Sequence, residues 1–181
     1  MDGLTRLAFE ARDGDRRALE LFVRDAQADV WRLCAHLRGR EHADDLTQET
    51  FMRAIGALAS FRGESSVRTW LLAIARRTCA DAVRRKIRVR RLLQRVTPRD
   101  ELEPEPTGGP ELDLVVARLD PDRKAAFVMT QVIGLSYAEA AEACGCPVGT
   151  IRSRVARARE DLVSWLTEEA GQARHGGESA G

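Results

Sequence analysis

The residues best suited to chemistry lie towards the C-terminal end of the sequence, in the segment LSYAEAAEACGCPVGTIRSRVARAR at 135–159. Ser136, with Glu139 three residues later, forms a capping box and predicts the start of a helix. Gly145 would end that helix, because glycine adopts positive φ without steric cost. Pro147 suits the first position of a second helix, where a missing N–H leaves nothing unpaired. The segment therefore predicts two short helices joined by a tight turn.

The second of these helices has one apolar face and one polar face. At 100° per residue, a single side collects Val148, Ile151, Val155, Ala158 and Leu162. The opposite side carries basic and small side chains, which suit base edges and phosphates in a DNA major groove. The residues on and beside that side are Thr150, Arg152, Ser153, Arg154, Ala156 and Arg157. A DNA-binding helix-turn-helix is the favoured hypothesis, and a plain helical hairpin with a solvated basic face is the alternative.

Composition favours helices throughout the chain. The 181 residues are 44% hydrophobic but only 5% aromatic, and Ala, Leu, Arg and Glu dominate. The length suits one domain or two small ones, so we expect an all-α protein.

The net charge of +1 conceals a strong segregation of charge. Residues 62–95 include eleven Lys or Arg and two acids, a net charge of +9. Residues 99–113 include one Arg and six acids, a net charge of −5. A concentrated basic segment indicates a polyanionic partner, and a surface helix without a ligand is the alternative.

The sequence gives no sign of catalysis, of a cofactor or of a metal site. It has no phosphate-binding glycine loop, zinc-protease motif or nucleophile elbow. Cys144 and Cys146 are spaced poorly for zinc, even with His36 and His42 available, and free thiols are expected. The N-terminus is charged, and no apolar run approaches the roughly 18 residues of a membrane span. We therefore expect no membrane insertion and a cytoplasmic location.

Three helices are predicted before residue 60. Two lie within 4–37, the second ended by Gly39, with Trp31 as a packing residue. The third covers 42–58, and its apolar positions are expected to face inward. These positions are Ala43, Leu46, Ala54, Ile55 and Leu58. Its outward residues are Asp44, Asp45, Gln48, Glu49 and Arg53. The first two acids also suit the positive end of the helix dipole, which is the simpler explanation for them.

A loop at 61–66, FRGESS, precedes a basic helix that Ser66 can cap. Stacking surfaces beside positive charge suit an opened nucleic-acid strand. The candidates for such contacts are Phe61, Arg62, Ser65, Ser66, Trp70, Arg76 and Arg77. Either aromatic ring of this set is equally well explained as core. Farther along the helix, Arg84, Arg85 and Arg88 are candidates for duplex phosphates.

Residues 96–112, VTPRDELEPEPTGGPEL, predict an extended, self-repelling linker. After it, 112–133 predict a helix pair with a start signal at Asp120 and Pro121. The glycine-rich residues 169–181 predict a disordered tail.

Two runs of the sequence resemble a known family. DDLTQETF (44–51) is similar to region 2.2, and CPVGTIRSRVARARE (146–160) to region 4.2, of bacterial extracytoplasmic-function sigma factors. These form group 4 of the sigma-70 family, and the likeness extends to actinobacterial sigma-C-like members. The resemblance spans Leu4 to Leu166. It implies two helical domains, with region 2 at 1–95, the linker at 96–112 and region 4 at 113–168.

The resemblance also implies roles for the candidate residues. The region 2.2 helix would bind the clamp coiled coil of core RNA polymerase through Asp45, Gln48, Glu49, Phe51 and Arg53. The 61–66 loop would take an unstacked base of the −10 element, and the second helix of the helix-turn-helix would bind the −35 element. Arg77 stands where many relatives have Asn, so their −10 preference does not transfer. Expected partners are core polymerase, through its clamp and flap, and promoter DNA, with an anti-sigma factor as a further candidate.

Two other functions fit parts of the sequence. A stand-alone helix-turn-helix regulator would bind palindromic DNA without polymerase. A polymerase-binding adaptor would use 42–58 and tolerate charge reversal in the second helix of the helix-turn-helix.

Overall fold

The computed structural model describes residues 2–94 and 111–176, with side chains at 2–92 and 114–168. Every regular element within these ranges is helical, which confirms the all-α prediction. The elements are α1 (Gly3–Arg12), α2 (Arg16–Arg38), α3 (Arg40–Ala57), a 3₁₀ turn (Leu58–Ser60), α4 (Val67–Gln94), α5 (Glu111–Ala117), α6 (Pro121–Phe127), a π-helical segment (Val128–Val132), α7 (Tyr137–Cys144) and α8 (Val148–Gly176).

Helices α1 to α4 form the first domain, with α2 packed against the other three. Its core includes Phe22 and Leu33 of α2 and Leu71 of α4, all of which are fully buried. Asp15 caps α2 by accepting bonds from the N–H groups of Arg17 and Ala18. Gly39, at φ 93°, ends that helix as predicted, and α3 follows directly.

One inward prediction for α3 is wrong. Ile55 is 42% exposed, whereas Thr47 and Thr50 are buried. The buried stripe continues from Thr50 to Ala54, and Ile55 lies a further 100° around the helix. A hydropathy pattern misses this stripe because Thr50 donates its hydroxyl to the carbonyl oxygen of Leu46 (2.7 Å) and so satisfies its polar group within the helix.

Helices α5 to α8 form the second domain, and local signals define its helix ends. Ser136 Oγ accepts from the N–H of Glu139 (3.2 Å), whose carboxylate accepts from the N–H of Ser136 (2.8 Å). This completes the predicted capping box. Gly145 ends α7 in the left-handed conformation, at φ 65°. Helix α8 begins at Val148, so Pro147 occupies the position before the one predicted for it.

The predicted apolar face of α8 is confirmed. Ile151, Val155, Ala158 and Leu162 are buried, and Val148 is half-buried. Asp120 caps α6 by accepting from the N–H groups of Asp122 and Arg123, which confirms that start signal too. The helix-turn-helix therefore packs against the hydrophobic core of the second domain.

The two domains pack against each other, chiefly through α4 and α7. Arg68 of α4 donates to Asp29 Oδ2 and to the carbonyl oxygen of Ile133, both at 2.7 Å. Arg76 of α4 donates to the carbonyl oxygen of Cys144 at 3.3 Å. Burial, and to a lesser extent the nearby Arg38, lowers the pKa of Lys124.

The predicted linker at 96–112 lies largely outside the described residues, and its last two residues open α5. The predicted tail at 169–181 overlaps α8, which continues to Gly176. The sequence EEAGQAR is rich in good helix formers, which accounts for the continuation. Residues 177–181 lie outside the described part. Within the described ranges, no helix has both the length and the apolar character of a membrane span.

Candidate nucleic-acid interface

The outward face of α8 presents its basic side chains to solvent. Ser153, Ala156 and Arg157 are exposed on the side opposite the buried stripe that contains Ile151 and Val155, and Arg152 is exposed on its flank. Arg152 and Arg157 have no hydrogen-bond or ion-pair partner within the described residues. The Ser153 hydroxyl donates to the carbonyl oxygen of Thr150 (2.9 Å), and its oxygen can still accept a hydrogen bond. This face therefore offers two uncommitted guanidinium groups to a polyanion.

Arg154 differs from its neighbours on α8. It is half-buried, forms an ion pair with Asp122 and donates to Cys146 Sγ at 3.7 Å. Arg123 forms a second ion pair with Asp161, at 2.7 Å. These two pairs fix α8 to α6, so Arg154 is engaged in packing where the sequence predicted a DNA contact. Thr150 is half-buried at the start of the helix.

The loop at 61–66, here called the capture loop, lies between α3 and α4. Phe61 is 4% exposed, with its ring centroid 5.4 Å from Phe9 and 5.1 Å from Trp70. The ring of Phe61 therefore belongs to the core, and its predicted contact with DNA is corrected. Trp70 is half-buried against it. Ser66 Oγ accepts from the N–H of Thr69 (3.1 Å), which confirms it as the cap of α4.

Two residues of the capture loop remain available on its outer side. Arg62 is exposed and Ser65 is half-buried. The side chains of both are without a hydrogen-bond partner among the described residues. A base that leaves a duplex needs a polar or stacking surface beside positive charge. Arg62, Ser65 and the uncovered part of Trp70 together provide such a surface.

The exposed arginines of α4 form a stripe. Arg77, Arg84 and Arg88 recur at steps of seven and four residues, which places them within about 40° of one another around the helix. Arg85 is exposed beside them. Arg76 lies off this stripe and is bound to the second domain. A duplex laid along α4 would therefore contact the stripe and not Arg76.

Ion pairs join this stripe to α3. Arg84 Nη2 lies 2.5 Å from Asp81 Oδ1, and Arg53 Nη1 lies 2.6 Å from Asp81 Oδ2. The hydrogen bond from Arg53, followed by that from Arg84, lowers the pKa of the Asp81 carboxyl. Arg53 and Arg85 also reach Glu49 Oε1, at 2.6 Å and 3.2 Å. Five charged side chains thus connect the helix predicted to bind polymerase with the helix predicted to bind DNA.

The exposed face of α3 differs in part from the predicted polymerase-binding set. Asp45 and Gln48 are exposed, while Glu49 and Arg53 are half-buried in the ion-pair network. Phe51 is 7% exposed and packs edge-on against Phe22, with centroids 6.4 Å apart. Phe51 therefore supports α3 from within the core, which corrects its placement on the binding surface.

Sequence reasoning missed the apolar part of that face. Met52 is 69% exposed and Ile55 is 42% exposed. They follow Gln48 at steps of four and seven residues, so they share its side of the helix. That spacing was visible in the sequence, but Ile55 was expected to be covered and Met52 was assigned to neither face. Two neighbouring exposed apolar residues beside acidic and amide groups are typical of a protein-binding surface.

Family models match both domains. The model for Sigma-70 region 2 matches residues 22–89, and that for Sigma-70 region 4 matches residues 110–162. The chain belongs to the sigma-70 family of RNA polymerase sigma factors, within its extracytoplasmic-function (ECF) class. As such it directs core RNA polymerase to promoters and initiates transcription.

Comparison with individual sigma factors shows which members of the class this chain is similar to. The chain is 48% identical over 168 residues to the probable RNA polymerase sigma-C factor of Mycobacterium bovis, covering 90% of this chain and 91% of the relative. It is 34% identical to the ECF RNA polymerase sigma-E factor of Haemophilus influenzae, covering 85% and 90%. The likeness to sigma-C factors predicted from the sequence is thereby confirmed.

Two solved structures share the fold. One is CnrH in complex with the cytosolic domain of CnrY, with a TM-score of 0.72 and 26% identity, covering 92% of this chain and 99% of that one. The other is the sigma factor RpoE in complex with the anti-sigma factor NepR from Bartonella quintana, with a TM-score of 0.66 and 29% identity, covering 84% and 96%.

Proposed function

We propose that the two domains divide promoter recognition between them, the second binding the −35 element and the first binding and opening the −10 element. The observation that carries this proposal is the outward face of α8, where Arg157 stands exposed opposite a buried stripe and Arg152 stands exposed on its flank, neither with a partner among the described residues. Guanidinium groups in this position bind guanine edges and phosphates of a major groove. Ser153 and Ala156 complete the face with contacts to a base edge and to a thymine methyl group.

The first domain acts in two steps. The stripe of Arg77, Arg84 and Arg88 binds phosphates of the duplex just upstream, which positions the −10 element beside the capture loop. Arg62, Ser65 and the edge of Trp70 then hold a base once it has left the stack. This binding offsets the unstacking cost of a few kcal/mol. Ser66 contributes by capping α4, and Phe61 by supporting the loop from below.

Helix α3 binds the clamp coiled coil of core polymerase. The support for this is a single face that combines Asp45 and Gln48 with the exposed side chains of Met52 and Ile55. An apolar centre with a polar rim is the usual anatomy of a protein interface. Glu49 and Arg53 lie at the edge of this face. The second domain binds the polymerase flap.

The protein acts in the cytoplasm and performs no catalysis of its own, since the polymerase carries out the chemistry. An anti-sigma factor is a further proposed partner, because the RpoE structure of similar fold contains one. Such a factor would cover the α3 face or the basic face of α8.

Strand opening provides the test. Ser65→Ala and Arg62→Ala, each assembled with core polymerase, should slow the appearance of permanganate-reactive thymines on a duplex promoter. A template opened beforehand across the −10 element should restore both variants to near the wild-type level. Equal losses on the two templates would remove the capture role from the loop.

Duplex binding is tested separately by salt dependence. Neutralising Arg84 or Arg88 should flatten the dependence of log K on log[salt] by up to about 0.9 for each phosphate that the variant no longer binds. The same variants should lose affinity on both templates alike. An unchanged slope would exclude α4 from phosphate binding.

A further inference from the structure

Helix α1 has no role in the function described so far. It lies before the residues matched by Sigma-70 region 2, which begin at residue 22. Its 10 residues contact α2, α4 and the turn that leads into the capture loop. Three separate attachments between α1 and the loop indicate what the helix does.

The first attachment is at the end of the loop, where α4 begins. The N–H of Val67 donates to Thr5 Oγ1 (3.1 Å) in a buried position, across 62 residues of sequence. The Thr5 hydroxyl in turn donates to Asp2 Oδ2 (2.7 Å), and Asp2 also accepts from the N–H of Thr5 (2.8 Å). Because Asp2 takes the hydroxyl proton, an oxygen lone pair of Thr5 is free to accept from Val67. Asp2 therefore orients Thr5, and Thr5 fixes the first residue of α4.

The second attachment is at the start of the loop. Arg12 Nη1 donates to the carbonyl oxygen of Phe61 (3.3 Å). The guanidinium of Arg12 also lies 4.7 Å from the centroid of the Phe9 ring, which itself packs against Phe61. The backbone and the side chain of Phe61 are thus both held by α1.

The third attachment is in the middle of the loop, at Gly63. Its φ of +74° favours glycine, and a Cβ atom there would lie 2.7 Å from Cζ of Phe9. Real Cβ atoms do not approach so closely, so the ring of Phe9 occupies the space that a side chain would need. The backbone of the loop rests directly on Phe9.

We propose that α1 is the platform that holds the capture loop in its base-accepting shape, with Thr5 and Phe9 as positioning residues for promoter opening. The inference rests on the proposed role of the loop. Attachments at both ends and in the middle fix the backbone of the loop, while Arg62 stays exposed and Ser65 half-buried, neither bonded to another described residue. A loop ordered beforehand loses less conformational freedom when it captures a base, so capture is more favourable.

Gly63→Ala and Thr5→Val test the proposal in the assembled holoenzyme. The first disturbs the contact between the loop and Phe9 without substituting a residue of α1, and the second removes the hydroxyl that accepts from the N–H of Val67 while keeping the side-chain shape. Permanganate footprints on a duplex promoter should show opening slowed roughly tenfold to a hundredfold, as expected for misplacement by about 1 Å. A template opened beforehand should return both variants to within about twofold of wild type, and polymerase affinity should not change.

Two controls separate positioning from general damage. Gly14→Ala introduces an alanine at φ +104° in the turn after α1, where nothing lies within 4 Å of the new Cβ. It should open the promoter at close to the wild-type rate. Thr5→Ser retains the hydroxyl and should recover most of the activity lost in Thr5→Val.

The outcomes distinguish this inference from the role of the loop itself. If Ser65→Ala shows the duplex-only defect while Gly63→Ala and Thr5→Val open the promoter normally, the platform is refuted and the loop retains its role. Equal losses of Gly63→Ala on both templates also refute the platform. If Ser65→Ala shows no template-dependent defect, the role of the loop fails and the platform fails with it.

Discussion

The two surfaces of this sigma factor that we propose to bind DNA are built in different ways. On the second domain, the helix ends and the buried stripe beneath the outward face of α8 are set by residues close to it in sequence, from the capping box at Ser136 to the buried Leu162, and two ion pairs then fix α8 to α6. On the first domain, the capture loop depends on α1, and Val67 bonds to a residue 62 positions away. The arginines of α4 depend on α3, through an ion pair of Arg53 with Asp81, 28 positions away.

The charges on the two surfaces differ as well. Arg152 and Arg157 of α8 have no partner within the described residues, whereas Arg84 and Arg85 of α4 are paired with Asp81 and Glu49. Phosphates that bind α4 must therefore compete with carboxylates, and those that bind α8 need not. The proposed −35 surface is therefore ready to bind as folded, whereas the charge of the proposed −10 surface is reduced by neighbouring carboxylates.

The largest effect is expected from removing part of the core beneath α8. Ile151 is fully buried, and Ile151→Ala should lower the free energy of unfolding by about 2–5 kcal/mol through a cavity. Loss of −35 binding should accompany this change, since the buried stripe, together with the ion pairs to α6, holds the outward face in place. Urea denaturation measures the first effect and footprinting the second. Val163→Ala, at a 65% exposed position of the same helix, should change stability by less than about 0.5 kcal/mol.

A smaller effect is expected from the outward face itself. Arg157→Ala should cost about 1–3 kcal/mol in binding to the −35 element and relax the preference at one base position. Arg159→Ala is the matched control, because this arginine is exposed on the same helix but donates to Gln131 Oε1 at 2.6 Å. Competition binding with single-base variants of the −35 element measures both. Equal losses without a change in base preference would mean that Arg157 contributes charge alone.

Removing the capping box measures how much a local hydrogen-bond motif contributes to the stability of the second domain. Ser136→Ala removes the hydroxyl oxygen that accepts from the N–H of Glu139, and it should lower the free energy of unfolding by about 1 kcal/mol. The hydrogen bond with Ser136 lowers the pKa of Glu139, so this carboxylate stabilises the fold above its ordinary pKa of 4.5. That part of the stabilisation is lost as the pH falls through the lower folded-state pKa. Thermal unfolding of wild type and Ser136→Ala between neutral and acid pH measures both effects, and an unchanged melting temperature at neutral pH would contradict the role of the cap.

The same contrast explains what the sequence could predict. The ends of α7 and the buried stripe of α8 follow from Ser136, Gly145 and helical spacing, which are local. The burial of Phe51 and Phe61 could not be predicted from neighbouring residues, because it depends on whether Phe22 and Phe9 cover these rings in the folded chain. Arg154 had an outward position by spacing, and only the approach of α6 gave it a partner.

The ion pairs between α3 and α4 could not be predicted from the sequence, because their partners are far apart along the chain. Asp81 was visible as an acid within a basic helix, but nothing in the sequence indicated that it meets Arg53. Such a contact depends on the packing of two helices, whereas a helix cap depends on a few neighbouring residues. The first domain was therefore predicted as helices with outward residues but without the ion pairs that join them, whereas the binding face of α8 followed from local spacing.

The smallest expected effect concerns Asp81, the acid that pairs with both Arg53 of α3 and Arg84 of the α4 stripe. Asp81→Asn keeps the shape of the side chain and weakens its bonds to Arg53 and Arg84. Since the Asp81 side chain is 35% exposed, screening limits the loss of stability to about 0.2–1 kcal/mol. The pKa of Asp81 is lowered in the folded state, so its stabilising effect is present above the ordinary value of 3.8 and is lost as the pH falls through the folded pKa.

A matched control separates this pairing from the charge itself. Glu64→Gln removes the other acid of the basic segment, which is exposed and has no partner within the described residues. If pairing restrains Arg84, Asp81→Asn should raise the affinity of the holoenzyme for duplex DNA more than Glu64→Gln does, at equal change in net charge. Denaturation from neutral to acid pH should show the wild type and Asp81→Asn converging at the acid end. Identical gains in DNA affinity for the two variants would mean that α4 responds only to its total charge, and the contrast with α8 would no longer hold.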